Sequence, residues 1–197
     1  LLMKKICTFT GAAMGDDPIY AESAYQLGQM IASRQLGLVY GGGKMGLMGR
    51  VADGVIEAGG HVTGIIPRFL DSVEIGHAGV TKLYIMDTMH QRKEMMYAES
   101  DAFIVLPGGL GTLDETMEIA TWRQLGLHQK PIIVLNLNGY WQHLLDQIQR
   151  IIDAGFMHHG NVPHLEQADT LDEIADHLDS VANGSTTTAT ANTATSG

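Results

Sequence analysis

The 197-residue chain has one cysteine, Cys7, so an internal disulfide is impossible and a thiol cluster for a metal is excluded. Cys7 lies in the apolar run "KKICTFT", which reads as a strand and makes it a core thiol rather than a nucleophile. Basic residues are also scarce: 12 Lys and Arg against 22 Asp and Glu give a net charge of −10. With an isoelectric point of about 5.2, a surface for nucleic acid or anionic membrane is disfavoured. Any anion is then held locally, by loop amides and a few cations. No run approaches the roughly 20 apolar residues of a membrane span, and the N-terminus lacks the apolar stretch of a signal peptide. The expectation is a cytoplasmic protein with no membrane or nucleic-acid partner.

What is present is the composition of a globular domain, 45% hydrophobic with a mean hydropathy near zero. Short apolar runs alternate with longer helical patterns. The runs are "KICTF", "GLVY", "HVTGIIP", "KLYIM", "AFIVL" and "PIIVLNL", with a weaker seventh near "PHLEQA". Helices are expected over 19–35, 45–59, 88–100, 112–126, 139–154 and 170–181. Several runs are continuously apolar, as strands are when helices cover both faces of a sheet. The alternation predicts an α/β fold with a doubly wound parallel sheet. One domain is expected over 1–182, followed by a low-complexity tail over 183–197, "NGSTTTATANTATSG", which lacks the apolar residues to order itself.

Two glycine-rich segments leave strands. In "PGGLGTLDE", residues 107–115, an ordinary turn would need one glycine, whereas Gly108, Gly109 and Gly111 occur together. Bare backbone entering a helix lets a ligand approach the N–H groups, and phosphate is the ligand those groups suit. In "GLVYGGGKMGLMG", Gly41, Gly43 and Gly46 match G-x-G-x-x-G, but the following strand, "GHVTGIIPRF", has no carboxylate to hold a ribose. A nicotinamide dinucleotide is therefore disfavoured. The ATP-type loop fails as well, since Met45 follows Lys44 where Ser or Thr is required. The glycines at 41–43 fit either a tight turn or a second arm of a phosphate site.

Thr112 and Glu115 form T-x-x-E, the spacing of a helix capping box. Thr88 with Gln91 and Thr170 with Glu173 repeat that spacing, so spacing alone does not make Glu115 catalytic. Position adds weight, because only the Thr112 pair follows a phosphate-type loop. An ionised Glu115 there suits ribose hydroxyls and developing positive charge. In "DTMHQRKEMM", Arg92 and Lys93 fall early in a helix, against the macrodipole, so Arg92 is expected to answer to something outside its helix. Met89, Arg92 and Met96 share a stripe that suits a planar base, although such a stripe also suits a core. His90 and Glu94 are spaced i, i+4, but no third metal ligand accompanies them.

Taken together, "PGGLGTLDE", "MHQRK" and "GGGKMGLMG" closely resemble the LOG ("lonely guy") family, from about Lys4 to Leu178. These are cytokinin riboside 5′-monophosphate phosphoribohydrolases that long carried a lysine decarboxylase label. The resemblance implies a Rossmann-like subunit, a homodimer, and no metal or organic cofactor. It implies Glu115 and Arg92 as the catalytic pair, and a phosphate and substrate site from Gly108, Gly109, Leu110, Gly111, Thr112, Lys93, Gly42 and Gly43. Glu74, in "EIGH", falls at a further substrate contact, and Met89 and Met96 at the base pocket. The first loop, "FTGAAMGDD", departs from the Cys-Gly-Ser start of many members, so a hydroxyl near the phosphate is either missing or supplied by Thr10. The implied reaction is hydrolysis of an adenosine 5′-monophosphate or N6-prenylated relative to free base and ribose 5-phosphate, activating cytokinins. A non-catalytic nucleotide or cofactor carrier and a general purine-nucleotide nucleosidase are the alternatives. The decarboxylase label would require a Schiff-base lysine, and nothing in the sequence around Lys44, Lys82, Lys93 or Lys130 singles one out.

Overall fold

The computed structural model describes residues 3–70, 76–157 and 164–184. Strands β1 (Lys5–Phe9), β2 (Gly37–Tyr40), β3 (Val62–Pro67), β4 (Lys82–Met86), β5 (Ala102–Val105), β6 (Ile132–Leu135) and β7 (Leu165–Ala168) form one sheet. Every pairing within it is parallel. The expected strands are all present, including the weak seventh run. Helices α1 (Pro18–Ser33), α2 (Gly46–Glu57), the single turn α3 (Arg68–Leu70), α4 (Met89–Ala98), α5 (Leu110–Gln124), α6 (Gln142–Asp153) and α7 (Leu171–Ala182) join them. Most of the tail expected over 183–197 lies outside the described residues. No helix among those described is long and apolar enough to cross a membrane.

Alternate residues of each strand feed two cores. Ile6, Leu38, Tyr40 and Ile104 face α1, α2 and α7, while Cys7, Phe9, Val39 and Phe103 face α4, α5 and Trp141. Covering on both faces explains why the strands read as unbroken apolar runs. Cys7 is fully buried, and burial first, then the charge of Glu115, pushes its thiol well above the usual range. It is an inert core residue.

The strand order, β4-β3-β2-β1-β5-β6-β7, decides where ligands bind. From β1 the chain steps outward to β4, then returns to place β5 on the other side of β1. Loops leaving the carboxyl ends of β1 and β5 therefore diverge and open a crevice at this switch point. Phe9 and Val105 are paired at the top of these two strands, so residues 10–16 and 107–109 form the two lips.

Candidate active site

A cavity of about 590 Å³ opens at that point, lined by both lips together with Arg92, Thr112, Glu115 and Tyr140. Its volume is in the range of small-molecule sites, roughly 300–1,000 Å³. The floor is the turn from β5 into α5. Gly109 is the N-cap of α5, in extended backbone at φ −97°, and the amides of Leu110, Gly111 and Thr112 begin the helix. These are N–H groups that a helix leaves without internal acceptors, at the positive end of its dipole.

The three glycines of this turn serve different purposes. A Cβ on Gly108 would lie 2.1 Å from Thr112 Oγ1 and 2.8 Å from the Gly11 nitrogen, so packing demands glycine there. A Cβ on Gly109 or Gly111 would meet nothing within 4 Å, and neither has a positive φ. The fold does not require them. They keep the space before the α5 amides empty, which is what an anion-binding turn needs. Leu110 itself is 85% exposed and contributes backbone rather than side chain.

The start of α5 corrects one expectation. The helix begins at Leu110, two residues before the predicted start, and its N-cap makes no side-chain bond. Thr112 is thus inside the first turn, buried against Gly108, and forms no capping box with Glu115. Its two sequence counterparts do cap: Thr88 and Gln91 form a complete box on α4, and the Thr170 side chain accepts from the Glu173 amide on α7. Glu115, half-buried in the second turn, is released from the helix-capping role that its spacing suggested. It lines the cavity instead.

Arg92 enters from α4 and is only 5% exposed. Its Nε donates to the Ile65 carbonyl within β3 at 3.0 Å and one Nη to the Gly41 carbonyl just past β2 at 3.0 Å. The other Nη lies 3.5 Å from Met89 Sδ. Gly41 is glycine for this reason, since a Cβ there would sit 2.0 Å from the guanidinium. The second glycine segment therefore supports Arg92. Gly42, at φ +81°, packs against Ile65 and Ile66, and Gly43 bridges to Gly76. Neither lines the cavity. The amides at the start of α2 are likewise occupied, Leu47 bonding the Ala13 carbonyl and Met48 that of Gly11, both at 3.3 Å.

Lys93 points away from the cavity, to Asp114 and Glu118 of α5 at 3.1 and 2.8 Å, tying α4 to α5. Met96 is 1% exposed and belongs to the core beneath, so the Met stripe divides: Met89 contacts Arg92 and Met96 packs the fold. Glu74 lies outside the described residues. Thr10 lines the cavity, but its hydroxyl hydrogen goes to the Pro107 carbonyl at 3.1 Å. The sequence reading missed the rest of the β1 lip, Tyr20 and Tyr140. The Asn138-Gly139 pair ahead of Tyr140 marks a tight turn in the sequence but does not say what that turn places.

No lysine lines the cavity. Lys44 and Lys82 are exposed, Lys93 is paired, and Lys130 donates to the Tyr97 carbonyl at 2.7 Å. A pyridoxal cofactor needs a lysine in the site to hold it as a Schiff base, so these residues do not fit one. Among the described residues no group of three or more His, Cys, Asp or Glu could hold a metal.

Comparison with known proteins identifies the family and the fold. The family model described as "Possible lysine decarboxylase" matches residues 48–178. The chain is 47% identical over 154 residues to Cytokinin riboside 5'-monophosphate phosphoribohydrolase LOG7 of Arabidopsis thaliana, covering 78% of this chain and 71% of that one. It is 42% identical over 173 residues to Probable cytokinin riboside 5'-monophosphate phosphoribohydrolase LOGL3 of Oryza sativa subsp. japonica, covering 88% and 82%. Among solved structures, the molybdenum cofactor binding protein from Rippkaea orientalis aligns with a TM-score of 0.69 at 24% identity, covering 92% of this chain and 99% of that one. The molybdenum cofactor carrier protein from Chlamydomonas reinhardtii aligns at 0.68 and 20% identity, with the same coverage. The structural likenesses carry the Rossmann-like fold, and the sequence relatives carry the family: this chain belongs to the LOG family of cytokinin riboside 5′-monophosphate phosphoribohydrolases.

Proposed function

We propose that this protein hydrolyses the N-glycosidic bond of an adenosine 5′-monophosphate, plain or N6-prenylated, giving free base and ribose 5-phosphate and so activating cytokinins. The observation that carries the proposal is the joint lining of one switch-point cavity by open glycine backbone, a buried arginine and a carboxylate. The 5′-phosphate sits on the amides of Gly109, Leu110, Gly111 and Thr112, where each charge-assisted hydrogen bond contributes about 1.5–3 kcal/mol. That grip fixes the sugar in the cavity.

The C1′–N9 bond breaks with its electron pair leaving on the purine, and C1′ becomes oxocarbenium-like. Glu115 stabilises that charge and orients the attacking water through the ribose hydroxyls. Water supplies hydroxide to C1′ and, in net balance, a proton to the base. Arg92 acts by stabilising negative charge on the departing purine. Anchoring at Ile65 and Gly41 aims its remaining N–H groups without loss of side-chain freedom during the reaction. Lys93 supports Glu115 indirectly, by holding α5 at Asp114 and Glu118. A carrier on this scaffold would use the anion cradle but has no use for a carboxylate beside it, so Glu115 favours the hydrolase. The active unit in this reading is a cytoplasmic homodimer that needs neither metal nor organic cofactor.

The test is incubation with AMP and with N6-isopentenyl-AMP in EDTA, with base and ribose 5-phosphate separated by chromatography. Hydrolysis is expected, and Glu115→Gln should cut turnover by on the order of a hundredfold or more, as for loss of one preorganised electrostatic group. Its melting temperature should hardly change, because the substitution keeps the size and hydrogen-bonding reach of the side chain. Normal turnover in Glu115→Gln would remove Glu115 from the chemistry, and absence of base release from either nucleotide would favour the carrier.

A further inference from the structure

Tyr140 lies outside every motif of the sequence and lines the cavity. Its hydroxyl donates to the Gly108 carbonyl at 2.7 Å, across 32 residues of chain. Its ring meets Tyr20 of α1 edge-on at 5.6 Å and Trp141 at 4.8 Å. The segment delivering it is unusually constrained. Asn138 adopts a left-handed conformation at φ +50°, as does Gly139 at +72°. Asn136, 3% exposed, accepts the Trp141 amide at 2.7 Å and donates to Gln142 at 3.1 Å. Trp141 is buried in the core. A non-glycine residue held at positive φ costs energy that the surroundings must offset, and here the turn serves to set Tyr140 over the glycine turn.

We propose that Tyr140 is a positioning residue that aims the phosphate-binding amides. The proposal rests on the nucleotide reading of the site given above. The peptide unit is planar, and the chain has no cis bonds among its described residues. The Gly108 carbonyl and the Gly109 N–H therefore point in opposite directions. Holding the oxygen with Tyr140 fixes the N–H on the far side. The preceding carbonyl, Pro107, is held in the same way by the Gly11 amide and the Thr10 hydroxyl, both at 3.1 Å. Two successive peptide planes are thus clamped from outside the turn. Without the second clamp, adjacent Gly108 and Gly109 regain the broad φ/ψ freedom of glycine, and the amides must be ordered each time a phosphate binds.

Tyr140→Phe keeps the ring contacts and removes only the hydroxyl. Calorimetry with ribose 5-phosphate, AMP and adenosine separates a phosphate effect from a general one. The variant should lose affinity for ribose 5-phosphate and AMP by on the order of tenfold, the scale of one hydrogen bond. Adenosine, which lacks the phosphate, should bind as to wild type, and KM for AMP should rise more than kcat falls. Amide exchange at Gly109 and Gly111, read by NMR, should quicken while the sheet amides stay protected, which distinguishes loosening of the turn from global destabilisation. Unchanged ribose 5-phosphate affinity overturns the proposal, and so does equal loss for adenosine and AMP. Wild-type protein that binds ribose 5-phosphate but hydrolyses nothing would end the hydrolase reading and leave the Tyr140 comparison decisive. Wild-type protein that binds none of the three overturns both.

Discussion

Neighbouring glycines in the turn before α5 should respond to substitution in opposite ways. At Gly109 an added side chain enters open space on an extended backbone. Valine there loses a modest N-cap preference but restricts the unfolded chain, two terms of about 0.5–1 kcal/mol that oppose each other. Stability should stay within about 1 kcal/mol of wild type, or roughly 2–4 °C in melting temperature for a domain this size. The isopropyl group, however, takes the space in front of the helix amides. Losing two charge-assisted hydrogen bonds to phosphate costs about 3–6 kcal/mol, which is a hundredfold to ten-thousandfold in Kd for AMP. At Gly108 even a methyl group collides with Thr112 Oγ1 and the Gly11 nitrogen. Overpacking of that kind costs about 1–3 kcal/mol, so Gly108→Ala should melt earlier. Thermal unfolding and calorimetry on both variants provide the check. Wild-type AMP affinity in Gly109→Val, or equal destabilisation by the two changes, would refute the division of the turn into a packed glycine and open ones.

Two further outcomes are expected. His128 is buried, and its ring fixes one tautomer, bonding the Ile119 carbonyl at 2.9 Å and accepting the Lys130 amide at 3.1 Å. Desolvation lowers its pKa below the usual 6.5, so the unfolded chain takes up a proton that the folded chain resists. Stability should be whole above about pH 6.5 and fall as pH drops through the folded value; urea midpoints at pH 7.5 and 5.5 should show a smaller drop for His128→Gln than for wild type. Light scattering should give a dimer, since Leu125 and Leu127 past the end of α5 remain 67% and 65% exposed, and a stable, active monomer would count against it.

Much of this protein was readable from its sequence because its signals are local. Continuous apolar strands alternating with helical patterns fixed the parallel α/β class, since burial on both faces leaves no polar alternation to confuse the reading. The bare turn at 107–111 drew attention to a segment that the structure brings to the wall of the switch-point cavity, because backbone stripped of side chains has few uses before a helix other than close approach of a ligand. Arg92, placed against its own macrodipole, pointed to an outside partner. Tertiary structure decided what depends on residues far apart in the chain. Spacing alone could not tell a capping Thr112 from a packed one, because that depended on Gly108 lying against its hydroxyl and letting α5 begin two residues early. It could not separate the two glycine segments either. Strand order sets the β5 turn at the switch point, while Gly41 and Gly42 became the seat of Arg92 and of β3. Tyr140 stayed invisible because its partner, the Gly108 carbonyl, is 32 residues away. A backbone oxygen has no side-chain identity, so only folding brings the two together.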